Sequence, residues 1–156
     1  MEKDMLVQKP YYATYSELSG PVAVDPSETD ISQGGNAEKI EYTVVYFKCD
    51  DLYLPCATLR PETLYGVTNL WVRQDQDYEI VEFKGKRMVL SSEAAKKVEF
   101  QYDSVKHVGK MTGEELVLRT VTHPVTKQSI ECVHAPFVDL DKGTGIVMSV
   151  PSDAPF

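Results

Sequence analysis

Thr58, Arg60 and Thr63 are the residues whose types and spacing most suggest chemistry. They fall in Pro55–Gly66, read PCATLRPETLYG, where two hydroxyl residues bracket the pair Arg60-Pro61. The preceding run, Leu52–Ala57, has the character of a strand, and Pro55 places it near a sheet edge or a bulge. Pro61 fixes its own φ and suits the first position of a helical turn. The spacing therefore predicts that Thr58–Arg60 turns out of the strand into a short helical turn, with Gly66 where such a turn stops. A corner of this kind exposes backbone N–H groups beside two hydroxyls and one permanent cation, a set suited to a sugar, phosphate or carbonyl oxygen. The same residues also fit an ordinary strand-to-turn connection with Thr and Arg in solvent, and alone they favour that plainer reading.

A second stretch shifts the balance. Gly143–Pro151 reads GTGIVMSVP, a glycine-marked turn followed by an apolar strand that ends in Pro151 and Ser152. Taken together and in this order, the two stretches resemble the Thr-rich peptide and the GTG-strand of the editing domain inserted in leucyl-tRNA synthetases. ATLRPETLYGVTN is similar to the archaeal and eukaryotic form; the bacterial form usually carries a second Thr where this chain has Leu59. The resemblance covers about residues 41–156.

The resemblance implies a role for each of these residues. Thr58 and Arg60 would lie at the scissile ester and the ribose of the terminal adenosine. Thr63 would be the gate that obstructs leucine, for which a stiff β-branched side chain is apt; its hydroxyl is equally able to bond within its own helical turn. Leu59, Met148, Ser149 and Val150 would line the substrate pocket. Strand alternation lets only two of the last three point inward, and Met148 and Val150 are also natural core residues. In the family an aspartate after the GTG-strand binds the α-ammonium group of the substrate. Aligned on SVPSDAPF, that position falls immediately after Phe156, so the expectation is a domain truncated at its C-terminus, or one without its amino-group anchor, whose hydrolysis alone is weak or absent.

The chemistry asked of such a site is modest. An aminoacyl ester is already activated, so water attacks it once its carbonyl is oriented and the developing negative charge is stabilised. Thr58, Arg60 and the nearby backbone suit that task without a protein nucleophile. The need arises because a hydrophobic synthetic pocket discriminates by only ~1–3 kcal/mol per methylene, so near-isosteres of leucine are charged in error and a second sieve must remove them.

The chain has 156 residues, of which 42% are hydrophobic and 26% charged. That is enough for a single domain with a sizeable core. The sequence has no apolar run long enough to span a bilayer. Its charged start, Met1–Met5, lacks the apolar core of a secretory signal. Three cysteines form no disulfide framework, so a cytoplasmic location without membrane association is expected. A net charge of −8 argues against a broad basic face for nucleic acid but leaves room for a local pocket for a single-stranded end. The expected partners are the 3′ end of aminoacylated tRNA(Leu) and the rest of a parent synthetase, which would supply most of the tRNA affinity.

Residues 1–40 read as an N-terminal arm or linker: Leu6–Tyr15, with Tyr11 and Tyr12, is a strand or an extended arm, and Ser19–Asn36 is a Gly- and Pro-rich loop. From Glu41 the chain reads as strands at Tyr42–Cys49, Leu52–Thr58, Val67–Val72, Tyr78–Phe83, Arg87–Leu90, Leu116–Val121, Ile130–Val133 and Ile146–Val150. Turns fall at Asp50-Asp51 and Lys84-Gly85-Lys86, and turn signals at Gly109 and Gly113 break Lys106–Gly113. A helix over Glu93–Val98 follows a cap at Ser91 or Ser92. The predicted fold is mainly β: a closed or nearly closed β-barrel with a few peripheral helices, over residues 41–156. A sandwich satisfies the same strand count.

Other chemistries find little support. The adenylate-forming signatures HIGH and KMSKS are absent, Lys110–Gly113 only grazing the second, and there is no Gly-rich phosphate loop. Any ATP and Mg would serve the parent enzyme in aminoacylation; editing itself implies no cofactor. Cys132 and His134 make two ligands at most, so no metal site is expected. His107, His123 and His134 have no serine elbow beside them. Asp139 and Asp141 read as a solvated strand end. The alternatives left open are an inactive barrel that only docks the tRNA end, the equivalent domain of an isoleucyl- or valyl-tRNA synthetase, and an unrelated ligand-binding barrel. LRPETLYG favours the leucyl type, because those relatives usually carry Thr-Pro-Trp here and the single Trp is Trp71.

Overall fold

The computed structural model describes Tyr15–Ser16, Gly20–Pro21 and residues 41–153. The chain divides into two units, residues 1–41 and 42–156, and each is described by itself. In the first unit β1 (Tyr15–Ser16) pairs antiparallel with β2 (Gly20–Pro21). Gly20–Pro21 reads as loop in the sequence, yet a two-strand ribbon leaves one side of each strand unpartnered and so tolerates Pro21. The rest of the expected arm lies outside the described residues.

The second unit is mainly β, as the sequence predicts. Its strands are β3 (Thr43–Cys49), β4 (Leu52–Thr58), β5 (Asn69–Val72), β6 (Asp77–Phe83), β7 (Lys86–Ser91), β8 (Lys106–Thr112), β9 (Thr120–Thr122), β10 (Ser129–His134) and β11 (Val147–Ser149). Helix α1 spans Ser92–Gln101 and α2 spans Gly113–Val117, and a 3-10 turn covers Pro61–Gly66. The nine strands form one sheet in the order β11-β5-β10-β9-β3-β4-β7-β6-β8. The β10–β5 and β4–β7 pairs are parallel.

Alternation explains the core. Val45, Phe47 and Cys49 of β3 pair across the hairpin with Cys56, Leu54 and Leu52 of β4, and all six are buried. They join Leu70, Val72, Tyr78, Val89, Leu116, Val121 and Ile130 in the main cluster. Each Val, Leu, Ile or Phe side chain among them contributes roughly 1.5–3 kcal/mol on burial. On the other face of β6 and β7, α1 covers a second cluster of Val81, Met88, Leu90, Ala94 and Ala95. Ser91 caps this helix, its Oγ accepting from the Ala94 amide at 3.1 Å, which relieves one orphan donor of the first turn.

No ladder joins β11 to β8 among the described residues, so strand pairing does not close the sheet. Residues 140–145, ahead of β11, instead reach back to β6 and β7. The Ser91 amide donates to the Thr144 carbonyl at 3.0 Å, Ser91 Oγ donates to the Leu140 carbonyl at 2.7 Å, and the Tyr78 hydroxyl donates to the Gly145 carbonyl at 3.3 Å.

Three local readings require correction. Strand β4 lies inside the sheet rather than at an edge. Its parallel ladder to β7 is a single bridge, Tyr53↔Met88, so Pro55 removes no ladder bond on that side. Gly109 is not a turn: β8 runs through it as an edge strand, with a register shift opposite Ile80/Val81, the usual meaning of glycine inside a strand. Leu116 and Val117 belong to α2, and only Thr120–Thr122 is strand. The overlooked signal is a capping box in which Thr112 Oγ1 accepts from the Glu115 amide while the Glu115 carboxylate accepts from the Thr112 amide.

All three cysteines are free and buried. Burial pushes the Cys56 thiol well above its ordinary range and the Cys132 thiol up to about 12. Thiolate is the reactive form, so the native chain is expected to resist a disulfide reagent at pH 8 and to react at all three positions once unfolded; a thiol titration with and without denaturant checks this. The sign of the linkage is fixed: a raised folded value favours the native state fully below the unfolded cysteine pKa. For Cys132 that contribution is lost as pH climbs from 9.0 towards about 12.

Candidate active site

The Thr-rich corner forms as its residues require. Strand β4 ends at Thr58, whose Oγ1 accepts from the Arg60 amide at 3.0 Å, a local bond that bends the chain. Pro61 takes the first position of the 3-10 turn and Arg60 is its N-cap. The Thr63 amide donates to the Arg60 carbonyl at 3.1 Å, and Thr63 Oγ1 donates to the same oxygen at 2.7 Å. The Val67 amide closes the turn on the Leu64 carbonyl at 3.2 Å. No residue of Pro61–Gly66 is fully buried; Leu64 packs against the main core, and polar ties hold the rest of the turn.

The GTG-strand is bound to this corner. Strand β5, which follows the turn, pairs antiparallel with β11 in the register Asn69↔Ser149, Leu70↔Met148 and Trp71↔Val147. Just before β5, the Thr68 amide donates to the Ser149 carbonyl at 3.0 Å, and the Thr68 and Ser149 hydroxyl oxygens lie 3.5 Å apart. Beyond β11 the chain turns back over the corner. A Cβ at Gly66 would lie 3.1 Å from Val150 Cγ1 and 3.3 Å from Ser152 Oγ. Arg60 ion-pairs through Nη1 with Asp153 and through Nε with Glu62 at 3.2 Å.

The structure thus brings all seven sequence-selected residues into one neighbourhood. Thr58 and Thr63 are half-buried. Leu59 and Arg60 stand out on the surface, Leu59 at 59% exposure. Strand alternation divides the remainder: Met148 and Val150 pack against the main core beside Leu64, whereas Ser149 is buried beside Thr68. The side chain of Arg60, expected at the ribose, already serves two carboxylates. Its five N–H donors leave some uncommitted.

Four further residues complete the site, none of them assigned to it by sequence reasoning. Asp153 holds the Arg60 guanidinium. Thr68 Oγ1 donates to Asn69 Oδ1 at 3.0 Å, and Asn69 Nδ2 is buried with no hydrogen-bond partner. His123, 2% exposed, contacts the turn at Leu64. For three of them the signal in the sequence was adjacency: Thr68 and Asn69 end the run ATLRPETLYGVTN, and Asp153 follows the GTG-strand.

The other candidate groups lie in structural settings. Cys132 is a core residue, and His134 Nδ1 accepts from the Gln74 amide at 3.0 Å. The Asp139 carboxylate accepts from the Asp141 amide at 3.0 Å. Among the described residues no cluster of three or more His, Cys, Asp or Glu is arranged to hold a metal ion, and no helix is long and apolar enough to cross a membrane.

Comparison with known proteins identifies the architecture. Residues 39–154 match the family described as "Leucyl-tRNA synthetase, editing domain". The chain is 46% identical over 144 residues to the leucine–tRNA ligase of Ignicoccus hospitalis, covering 87% of this chain and 14% of that protein. It is 41% identical over 162 residues to the leucine–tRNA ligase of Staphylothermus marinus, covering 99% and 16%. These relatives are therefore far longer than the chain. Among solved structures, the crystal structure of GlLeuRS-CP1 superposes with a TM-score of 0.61 at 38% identity, covering 68% of this chain and 43% of that one. The chain belongs to the family of leucyl-tRNA synthetase editing domains.

Proposed function

We propose that this chain is the post-transfer editing unit of a leucine–tRNA ligase, hydrolysing the ester of misacylated tRNA(Leu) while sparing leucyl-tRNA(Leu). The observation that carries the reading is the junction of the Thr-rich corner with the GTG-strand through the Thr68–Ser149 and Arg60–Asp153 contacts. In the proposed reaction the terminal adenosine and its aminoacyl group lie against that junction. Hydrogen-bond donors of the corner, the Thr58 hydroxyl and the uncommitted N–H groups of Arg60, hold the ribose and the ester carbonyl. Water adds to the carbonyl carbon, the bond to the ribose oxygen breaks, and the ribose hydroxyl leaves with a proton. The chain's contribution is orientation and stabilisation of the developing oxyanion. Thr63 sets the size limit of the acyl group, Leu59 and Ser149 shape the rest of the site, and Met148 and Val150 support it from the core side.

The hydrolysis needs no organic cofactor or metal in this proposal; ATP and Mg belong to aminoacylation by the whole ligase. The rest of the ligase presents the tRNA 3′ end, in keeping with a net charge of −8 on this chain, and the assembly works in the cytoplasm. The test is deacylation of tRNA(Leu) carrying a small near-isostere of leucine by the ligase that contains this domain. Release of that amino acid with leucyl-tRNA left intact supports the reading, and stable misacylated tRNA opposes it. A corner that only docks the tRNA end gives the second result.

A further inference from the structure

We infer that His123 is a positioning residue for the Thr63 gate: its imidazole fixes the 3-10 turn by donating to the Leu64 carbonyl. This rests on the editing reading above and names a residue that the proposed chemistry does not otherwise use.

The geometry assigns the proton on the ring. His123 follows β9 and sits at the start of the β9–β10 turn. Two backbone amides, those of Val125 and Thr126, donate to Nδ1 at 3.2 and 3.1 Å. That nitrogen must therefore present its lone pair, and the ring proton belongs to Nε2. Nε2 lies 2.8 Å from the Leu64 carbonyl oxygen, so it donates there. The Phe47 ring meets the imidazole edge-to-face at 5.9 Å, which fixes the ring plane. The backbone of His123 is held as well: its amide donates to the Gln128 carbonyl at 2.9 Å and its carbonyl accepts from the Lys127 amide at 3.1 Å. A rigid, buried side chain thus grips a turn whose own side-chain anchor in the core is the partly buried Leu64.

The position of the grip matters. Leu64 directly follows Thr63, and its carbonyl also accepts the Val67 amide that closes the turn. Loss of the Nε2–H donor leaves one of two bonds on that oxygen and frees the turn to shift. The gate then moves relative to Thr58 and Ser149.

Two substitutions in the intact ligase separate this role from general stability. His123→Asn keeps an acceptor where Nδ1 stood but is too short to reach Leu64. His123→Gln carries an amide donor near the place of Nε2. The readout is the ratio of hydrolysis rates for misacylated and leucyl-tRNA(Leu), which does not change with the fraction of folded enzyme. His123→Asn is expected to lower this ratio about tenfold, the size of one lost hydrogen bond, and His123→Gln to restore it to within about threefold of the parent. An Asn variant with the parent's ratio, or equal losses in both variants, overturns the inference. If His123→Asn does not fold, the Gln variant decides: a folded Gln enzyme that discriminates supports the role, and one that does not overturns it. A parent enzyme that leaves misacylated tRNA intact defeats the editing reading instead. The imidazole's hold on the turn is then read separately from hydrogen exchange at the Val67 amide, expected to be about tenfold faster in the Asn variant and refuted if unchanged.

Discussion

Replacing Thr63 with alanine is expected to make the ligase that carries this domain hydrolyse its own correct product, leucyl-tRNA(Leu), by about 10–100-fold above the parent rate. The hydroxyl of Thr63 is pinned to the Arg60 carbonyl at 2.7 Å, and a β-branched side chain has few alternatives once one branch is fixed. Its methyl group therefore stands in one direction as a rigid obstacle. Alanine removes both branches and leaves the backbone bond from Thr63 to Arg60 in place, so the turn persists while the obstacle goes. Two companions isolate the cause. Thr63→Ser keeps the hydroxyl bond without the methyl and is expected to admit leucine in part. Thr63→Val keeps the shape without the bond and is expected to exclude leucine nearly as well as threonine. Deacylation of leucyl-tRNA by the four enzymes checks this. Unchanged protection of leucyl-tRNA in the Ala variant, with misacylated tRNA still hydrolysed, refutes a steric gate at this position.

The second large effect is on stability. Gly145→Ala is expected to destabilise the native chain by about 2–5 kcal/mol, read as a fall in the denaturant midpoint. Gly145 has φ +76°, and a Cβ there would lie 2.5 Å from Ser91 Cβ and 2.8 Å from Ser91 Oγ. The left-handed conformation costs an L-residue about 1–2 kcal/mol, and forcing the neighbouring backbone aside adds about 1–3 kcal/mol. The consequence spreads because Ser91 both caps α1 and bonds residues 140 and 144, which tie the chain ahead of β11 to β7. Gly85 supplies the control: its φ is +72° but nothing lies within 4 Å of an added Cβ. Gly85→Ala should therefore lose only the conformational part, about 1–2 kcal/mol. Equal losses at both positions would show that the close approach to Ser91 contributes nothing.

Much of this architecture was legible because it is written in local patterns. Alternating apolar residues in Thr43–Cys49 and Leu52–Thr58, around Asp50-Asp51, dictate the β3–β4 hairpin. Lys84-Gly85 does the same for β6–β7, and Pro61 marks where the strand gives way to the 3-10 turn. The joining of the Thr-rich corner to the GTG-strand followed from the family resemblance, which supplies a spatial relation that no local pattern holds. What escaped the sequence depends on partners distant along the chain. Gly109 is strand because β6 pairs with it, and Leu116 is helical because its cap at Thr112 outweighs its apolar, strand-like surroundings. Pro55 is tolerated in an interior strand because the β7 ladder ends before it. His123 shows the same limit: a histidine before a proline gives no sign of its acceptor, since Leu64 lies 59 residues away.

The role of the junction between the Thr-rich corner and the GTG-strand is tested most directly by binding of a non-hydrolysable aminoacyl-adenosine analogue, followed through the backbone amide resonances of the chain. Saturable shifts are expected to concentrate at Arg60, Thr63, Thr68 and Ser149, larger for an analogue bearing a small non-leucine side chain than for the leucyl analogue. Saturable shifts confined to a remote surface such as β8 and α1, with the amides of the Thr-rich corner and the GTG-strand unmoved, would contradict it.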